Sequence, residues 1–290
     1  YGDHRDLHLS IRRQRQMCIR DSIQVKNLQN NIGITIKSKR ELDLMRQSAK
    51  VLVEAKKRVA DSITPGISTQ KLDSIAEDVI RNLGAIPSFK GYTGGMASTG
   101  FPGTVCASIN DEIVHGIPSK RKLNEGDILS IDVGAIVGGF HSDSAFTVGV
   151  GEITPDAQNL INATHNALKT GISKAIGGNR IGDISSAVQK YGESLGYGIV
   201  RQYVGHGIGR NLHEEPQVPN YGDAGKGPKL LPGMCLAIEP MLNVGTWKTK
   251  QLSDGWTVST EDGELSAHFE DTIIITENTP ENLTFIEGYY

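Results

Sequence analysis

An aspartate stands where a strand should be apolar: Asp132 interrupts the run Leu129-Ser130-Ile131-Asp132-Val133. A carboxylate is almost never left in such surroundings unless it is paired or bound to metal. Asp143 follows in His141-Ser142-Asp143-Ser144, on the returning arm of a predicted hairpin over residues 129–150 that turns near Val137-Gly138-Gly139. A turn at Val137-Gly138 sets the two aspartates opposite each other. A turn at Gly138-Gly139 sets them diagonally, two residues apart in register. Either way the period of two leaves both on one face. Like charges so placed resist ionising together, and a cation between them removes the conflict. Asp143 near His141 could instead be a turn residue bonded to the backbone, a reading that fits Asp132 poorly.

The same pattern returns near the end of the chain. Leu236-Ala237-Ile238-Glu239-Pro240 is apolar up to its acid, and Glu270 sits between His268-Phe269 and the apolar run Ile273-Ile274-Ile275. Buried arginines would be the plain counter-charges, but few lie nearby in sequence. Between these acids and the hairpin lies Val204-Gly-His-Gly-Ile-Gly-Arg-Asn-Leu-His-Glu-Glu-Pro216, read as a loop, with His206 flanked by Gly205, Gly207 and Gly209. Glycine at such density lets the backbone pass close to a neighbour or a ligand. The stretch is not a helical His-Glu-x-x-His zinc site, a dinucleotide loop or a phosphate loop. With His206 the acids make a set of two Asp, two Glu and one His without a thiolate. Such a set suits hard or borderline divalent metals. Four carboxylates exceed what one ion needs, whereas two ions about 3.5 Å apart would share them.

Around these residues the chain alternates helix pairs with strands. Ser38 and Glu41 form a capping box that opens a predicted helix to about Asp61, with Leu42, Met45, Ala49, Leu52 and Val53 inward. A second helix is predicted over residues 69–83, a third from Thr154-Pro155 to Gly177-Gly178, and a fourth over residues 183–195. Residues 87–103 and 216–233 read as Gly/Pro-rich loops, and short strands are expected at 105–109, 235–238, 256–260 and 273–276. The layout is α+β, with antiparallel or mixed sheet covered by helices. Its two halves look alike in element order but not in sequence. No linker divides residues 34–290, which are expected to form one catalytic domain.

A net charge of -3 makes no electrostatic claim on nucleic acid or membrane, and no apolar run approaches the ~20 residues of a membrane span. Three cysteines without a Cys-x-x-Cys pair fit a reducing, cytoplasmic compartment. Residues 1–33 form a tail unlike the rest. Its segment up to Ser22, with Arg12, Arg13, Arg15 and Arg20, resembles translated adapter read-through and is expected not to pack. An RNA-touching basic arm is the rival reading.

Taken with their flanks, these blocks resemble a known family. Asn110-Asp-Glu-Ile-Val-His115-Gly-Ile-Pro118, Ile131-Asp132-Val133, Asp143, Gly205-His206-Gly-Ile-Gly209, His213-Glu-Glu-Pro216, Ile238-Glu239-Pro-Met241 and Phe269-Glu270-Asp-Thr272 are similar to those of type I methionine aminopeptidases. The resemblance covers residues 34–290. It implies the pita-bread fold, pseudo-twofold around a dinuclear metal site, and removal of the initiator methionine from nascent chains whose second residue is small. By that resemblance Asp132 is a bidentate ligand of one ion, His206 a ligand of the other, and Asp143 and Glu270 the bridging pair. Glu239 is a terminal ligand that also takes a proton from the attacking water. His115 and His213 contact the substrate and the tetrahedral intermediate. Phe101, Cys106, Trp256 and Leu212 line the methionine pocket, Leu212 standing where an aromatic is often found.

The resemblance further implies two divalent ions (cobalt, manganese, iron or zinc) and a monovalent cation near Asn110 and Ser266. The partners expected are nascent N-termini, with the ribosome nearby and no nucleic acid or membrane, and the protein is expected to be a monomer. One departure is an insertion at residues 93–99, beside Tyr92 and Phe101. An Xaa-Pro dipeptidase relative and a non-catalytic binder of nascent chains are the rivals on this fold. The first usually carries a further N-terminal domain, and the second would be expected to have lost ligands.

Overall fold

The computed structural model describes residues 33–94 and 99–288, and the backbone of residues 23–24. The segment up to Ser22 lies outside the described residues, as do residues 95–98 of the insertion.

Helix α1 (Lys39–Ala60) starts as its capping box dictates: Glu41 N donates to Ser38 Oγ, and the Glu41 carboxylate accepts from Ser38 N at 3.0 Å. Its inner face carries Met45, Ala49, Leu52, Ala55 and Val59, and also the polar Glu41, Ser48 and Lys56. Leu42 and Val53, expected inward, are only half-buried. Helix α2 (Thr69–Asn82) buries Leu72, Ala76 and Ile80 and yields to Gly84 at φ 76. Helix α3 (Pro155–Ile172) has Thr154 as its cap and proline in its first turn. It stops well before Gly177-Gly178, because Gly177 N is taken by Thr276 O at 2.7 Å and Ile176 bridges Thr276. Helix α4 (Ile181–Ser194) is opened by Asp183, which accepts from Arg180 N at 2.8 Å.

The first-half sheet is built on a hairpin, Ile128–Val137 against Phe140–Gly149, with Val105–Ile109 on its other side and α1 across both hairpin strands. The turn is Gly138-Gly139 at φ 58 and 79, the left-handed pair that a two-residue hairpin turn needs. Asp132 therefore faces Ala145, and Asp143 faces Gly134. The aspartates are diagonal neighbours on one face.

The second-half sheet is antiparallel, in the order Glu214–Val218, Gly205–Gly207, Cys235–Ile238, Asp271–Ile274, Glu281–Asn282. The glycine-rich stretch is thus no loop around His206: residues 205–207 are an inner strand, and only the turn bearing His213 is irregular. A Cβ on Gly205 would lie 2.4 Å from Ala237 O, and one on Gly207 2.2 Å from Glu215 O. The glycines are there because neighbouring backbones press on both, and that density disguises a strand as a loop. Pro216, assigned above to the following loop, belongs to the adjoining strand. The strands Glu112–Val114, Met241–Asn243 and Ser266–His268 were also unread, being three residues each. The strand at Cys235–Ile238 falls as expected, whereas the two later ones are Val258–Thr260 and Asp271–Ile274.

A seam joins the halves beside the acids. Ala145 and Glu270 exchange both backbone hydrogen bonds, and Thr272 Oγ1 bonds Asp143 at its N–H and its carbonyl. One hydrophobic core runs through both halves, from Leu52 and Leu72 to Ile184 and Ile273.

Candidate metal centre

The strands deliver all five expected ligands to one cavity of about 260 Å³. Asp132 and Asp143 come from the hairpin, His206 from the glycine-bound strand, Glu239 from the end of Cys235–Ile238, and Glu270 from the seam. Asp143, His206 and Glu270 present ligand atoms within 4.8 Å of one another. His206 Nε2 lies 3.7 Å from Glu239 Oε1 and 4.0 Å from Asp143 Oδ2. Asp132 Oδ1 and Glu270 Oε1 are buried without a hydrogen-bond partner.

The electrostatics of the group call for positive charge. Burial pushes Asp132 up to about 7, and it pushes Asp143, Glu239 and Glu270 well above the carboxylate range, aided by their mutual repulsion. His206 Nδ1 bonds its neighbour's carbonyl, Gly207 O, at 2.9 Å, which puts its proton on Nδ1 and leaves Nε2 bare. Burial, then His213, lowers His206 to about 3, so it stays neutral. A bare ring nitrogen among carboxylates repels them unless a cation lies between. The orphaned oxygens and this tautomer fit divalent ions bound by oxygen and imidazole. Cys106 also faces the cavity, but burial holds its thiol protonated, so it adds no thiolate.

Beside the acids lies an apolar wall. Phe101 meets Trp256 edge-on at 5.2 Å, and Cys106 and Leu212 complete the set expected from sequence. Phe89 and Tyr203 line it too and carried no signal of their own. His115, at φ 61, stands edge-on to Tyr203 at 5.7 Å and is lowered to about 4 by burial, then by His213. His213 lies 4.3 Å from His206, ring to ring, and its Nδ1 is 2.5 Å from the Tyr92 hydroxyl. The insertion leaves from a closed base: Phe101 N bonds Tyr92 O at 2.9 Å, and Gly91 N bonds Phe101 O at 2.8 Å. Tyr92 and Phe101 thus keep their places at the cavity. Asn110 and Ser266 also meet, Ser266 N donating to Asn110 O at 2.9 Å.

Two further residues were invisible from sequence. Lys56, on the inner face of α1, reaches behind the acids, and His268 points its Nε2 to within 3.8 Å of Glu239 Oε2. One sits in an ordinary charged helix pattern and the other in a three-residue strand. Neither pattern announces burial.

The model described as metallopeptidase family M24 matches residues 43–277, so the α+β fold enclosing this carboxylate-rich cup is that of a metallopeptidase. The methionine aminopeptidase of Clostridium acetobutylicum is 51% identical over 255 residues, 88% of this chain and 100% of that protein. Methionine aminopeptidase 1 of Bacillus subtilis is 49% identical over 87% of this chain and 99% of its own length. The crystal structure of methionine aminopeptidase from Thermotoga maritima superposes with a TM-score of 0.84 at 42% identity, covering 87% of this chain and 100% of that one. The chain belongs to the methionine aminopeptidases of family M24, and its architecture is the pita-bread fold.

Proposed function

We propose that this chain is a metal-dependent aminopeptidase that removes the N-terminal methionine of new proteins when the second residue is small. The observation that carries the reading is the bare His206 nitrogen set among four carboxylates at the floor of an aromatic-walled cavity. Asp132, Asp143, His206, Glu239 and Glu270 would hold two divalent ions, the set suiting cobalt, manganese, iron or zinc. Bound there, such ions polarise a scissile carbonyl and acidify a water.

The chain's own groups supply the rest. Glu239 takes the proton of the attacking water and passes it to the leaving amine. His213 accepts the Tyr92 hydroxyl at Nδ1, which leaves Nε2–H free to donate to the developing oxyanion. His115 orients the scissile amide. Phe101, Trp256, Cys106 and Leu212 enclose the methionine side chain. Asn110 O and the Ser266 backbone would border a monovalent cation. Among the described residues no helix is long and apolar enough to cross a membrane. We infer a cytoplasmic monomer acting on nascent chains at the ribosome.

The test sets Met-Ala-Ser beside a Gly-Pro dipeptide, with protein that has been stripped by chelator and reloaded with each metal. Release of methionine that depends on metal is expected. Cleavage of the Gly-Pro peptide alone would move the chain to the dipeptidases, and no metal binding with no cleavage would make it a binder.

A further inference from the structure

We infer that His268 is a positioning residue for Glu239, its Nε2–H being the donor that fixes Glu239 Oε2; this rests on the reading of Glu239 given above. His268 is 2% exposed, and its Nε2 has no hydrogen-bond partner. An unsatisfied buried polar group is costly, so its place requires a reason. The carboxylate nearby supplies one. His268 Nε2 lies 3.8 Å from Glu239 Oε2, while the other oxygen, Oε1, is the one 3.7 Å from His206. The two imidazoles therefore bracket the carboxylate, one at each oxygen. They differ in protonation pattern. His206 turns a bare nitrogen toward the cup, as a ligand does, whereas a hydrogen bond from His268 needs the proton on Nε2.

The placement of His268 is rigid. Its N–H donates to Thr147 Oγ1 at 2.9 Å, its carbonyl accepts from the same hydroxyl at 2.8 Å, and Ser130 Oγ holds that hydroxyl from the other side at 2.8 Å. Across the strand pair it faces Met241, two residues beyond Glu239. Asn220 Nδ2 holds the Glu239 carbonyl at 3.0 Å. The backbone of Glu239 is thus held in place. A single donor at Oε2 selects one rotamer and aims Oε1 at the cup.

The experiment compares His268→Leu, which removes the donor, with His268→Gln, which keeps an N–H of similar reach. With metal-loaded enzyme on Met-Ala-Ser, H268L should lose about 10–100-fold in kcat with KM within about twofold, and H268Q should recover most of it. Calorimetric titration of the metal-free proteins with Mn²⁺ should show the weaker step loosened about tenfold in H268L only. His268→Asn, whose donor falls short of Oε2, stands in if the leucine variant does not fold, with the same loss expected. Wild-type kcat and metal affinity in H268L or H268N would overturn the inference, as would equal losses in H268Q and H268L with unchanged melting. Wild-type protein that neither binds metal nor cleaves would overturn the reading of the whole site instead, and with it this inference.

Discussion

Lys56 Nζ lies 4.0 Å from Asp271 Oδ1, with both side chains buried directly behind the cup. The lysine also donates to Ser144 Oγ at 2.6 Å and Thr284 O at 3.2 Å, and Ser144 Oγ donates on to Glu270 O at 2.6 Å. Ser144 and Asp271 each follow one of the two carboxylates at the seam, Asp143 and Glu270. A single side chain from the first helix thus ties together the segments that carry them. Lys56→Ala should cost at most about 3–5 kcal/mol in urea unfolding, because it removes the cation beside buried Asp271, whose carboxylate keeps the Thr284 and Asn282 donors. The double change Lys56→Met with Asp271→Asn removes both charges and should recover most of that loss. Equal destabilisation in the two proteins would mean that packing, not charge, is what Lys56 contributes.

Glu239→Gln keeps the size of the side chain and its partial exposure to the cavity but removes its basicity. Melting should change little, while kcat on Met-Ala-Ser should fall by about 10²–10⁴-fold. Turnover near that of the parent would show that another group moves the proton.

Tyr92→Phe deletes the hydroxyl that meets His213 Nδ1. A neutral hydrogen bond of about 1–1.5 kcal/mol corresponds to roughly a tenfold fall in kcat, with KM held near its original value because the ring remains. The imidazole ¹⁵N shifts of His213 offer a second measurement. They should move toward a mixture of tautomers, and unchanged shifts would count against the contact.

His165 stacks on Phe269 at 4.9 Å and is lowered from 6.5 to about 4, chiefly by burial and then by Lys169. Between these values the unfolded chain binds the proton and the native one does not. Stability therefore rises with pH across that window and is lost as pH falls from about 6.5 through about 4. His165→Leu should flatten part of this slope, reducing proton uptake on unfolding at pH 5 by about one. A slope identical to the parent's, from denaturant melts at several pH values, would remove His165 from the account.

Much of this was legible in the residues themselves. Asp132 betrays itself as an acid in a strand otherwise made mostly of apolar residues, and Ser38 with Glu41 marks a helix start without tertiary help. The rest depended on contacts that sequence does not encode locally. Gly205 and Gly207 looked like a loop because the pressure that demands glycine comes from strands ten and thirty residues away in the chain. Gly177, five residues past the end of α3, is claimed by Thr276, a partner about a hundred residues on. No arginine near the acids in sequence marks the buried cation behind the cup, which is Lys56, brought beside Asp271 by α1.

The seam at Ala145 and Glu270 has a consequence for how such a centre can come into being. Asp132 and Asp143 lie on one side of it, and His206, Glu239 and Glu270 on the other. Neither part owns a competent binding site. Produced as separate fragments, each would offer an incomplete cradle, and tight capture of ions would emerge only on reassociation. With the proposed ligand set, metal uptake would therefore be a readout of completed folding, available before any peptide has been offered.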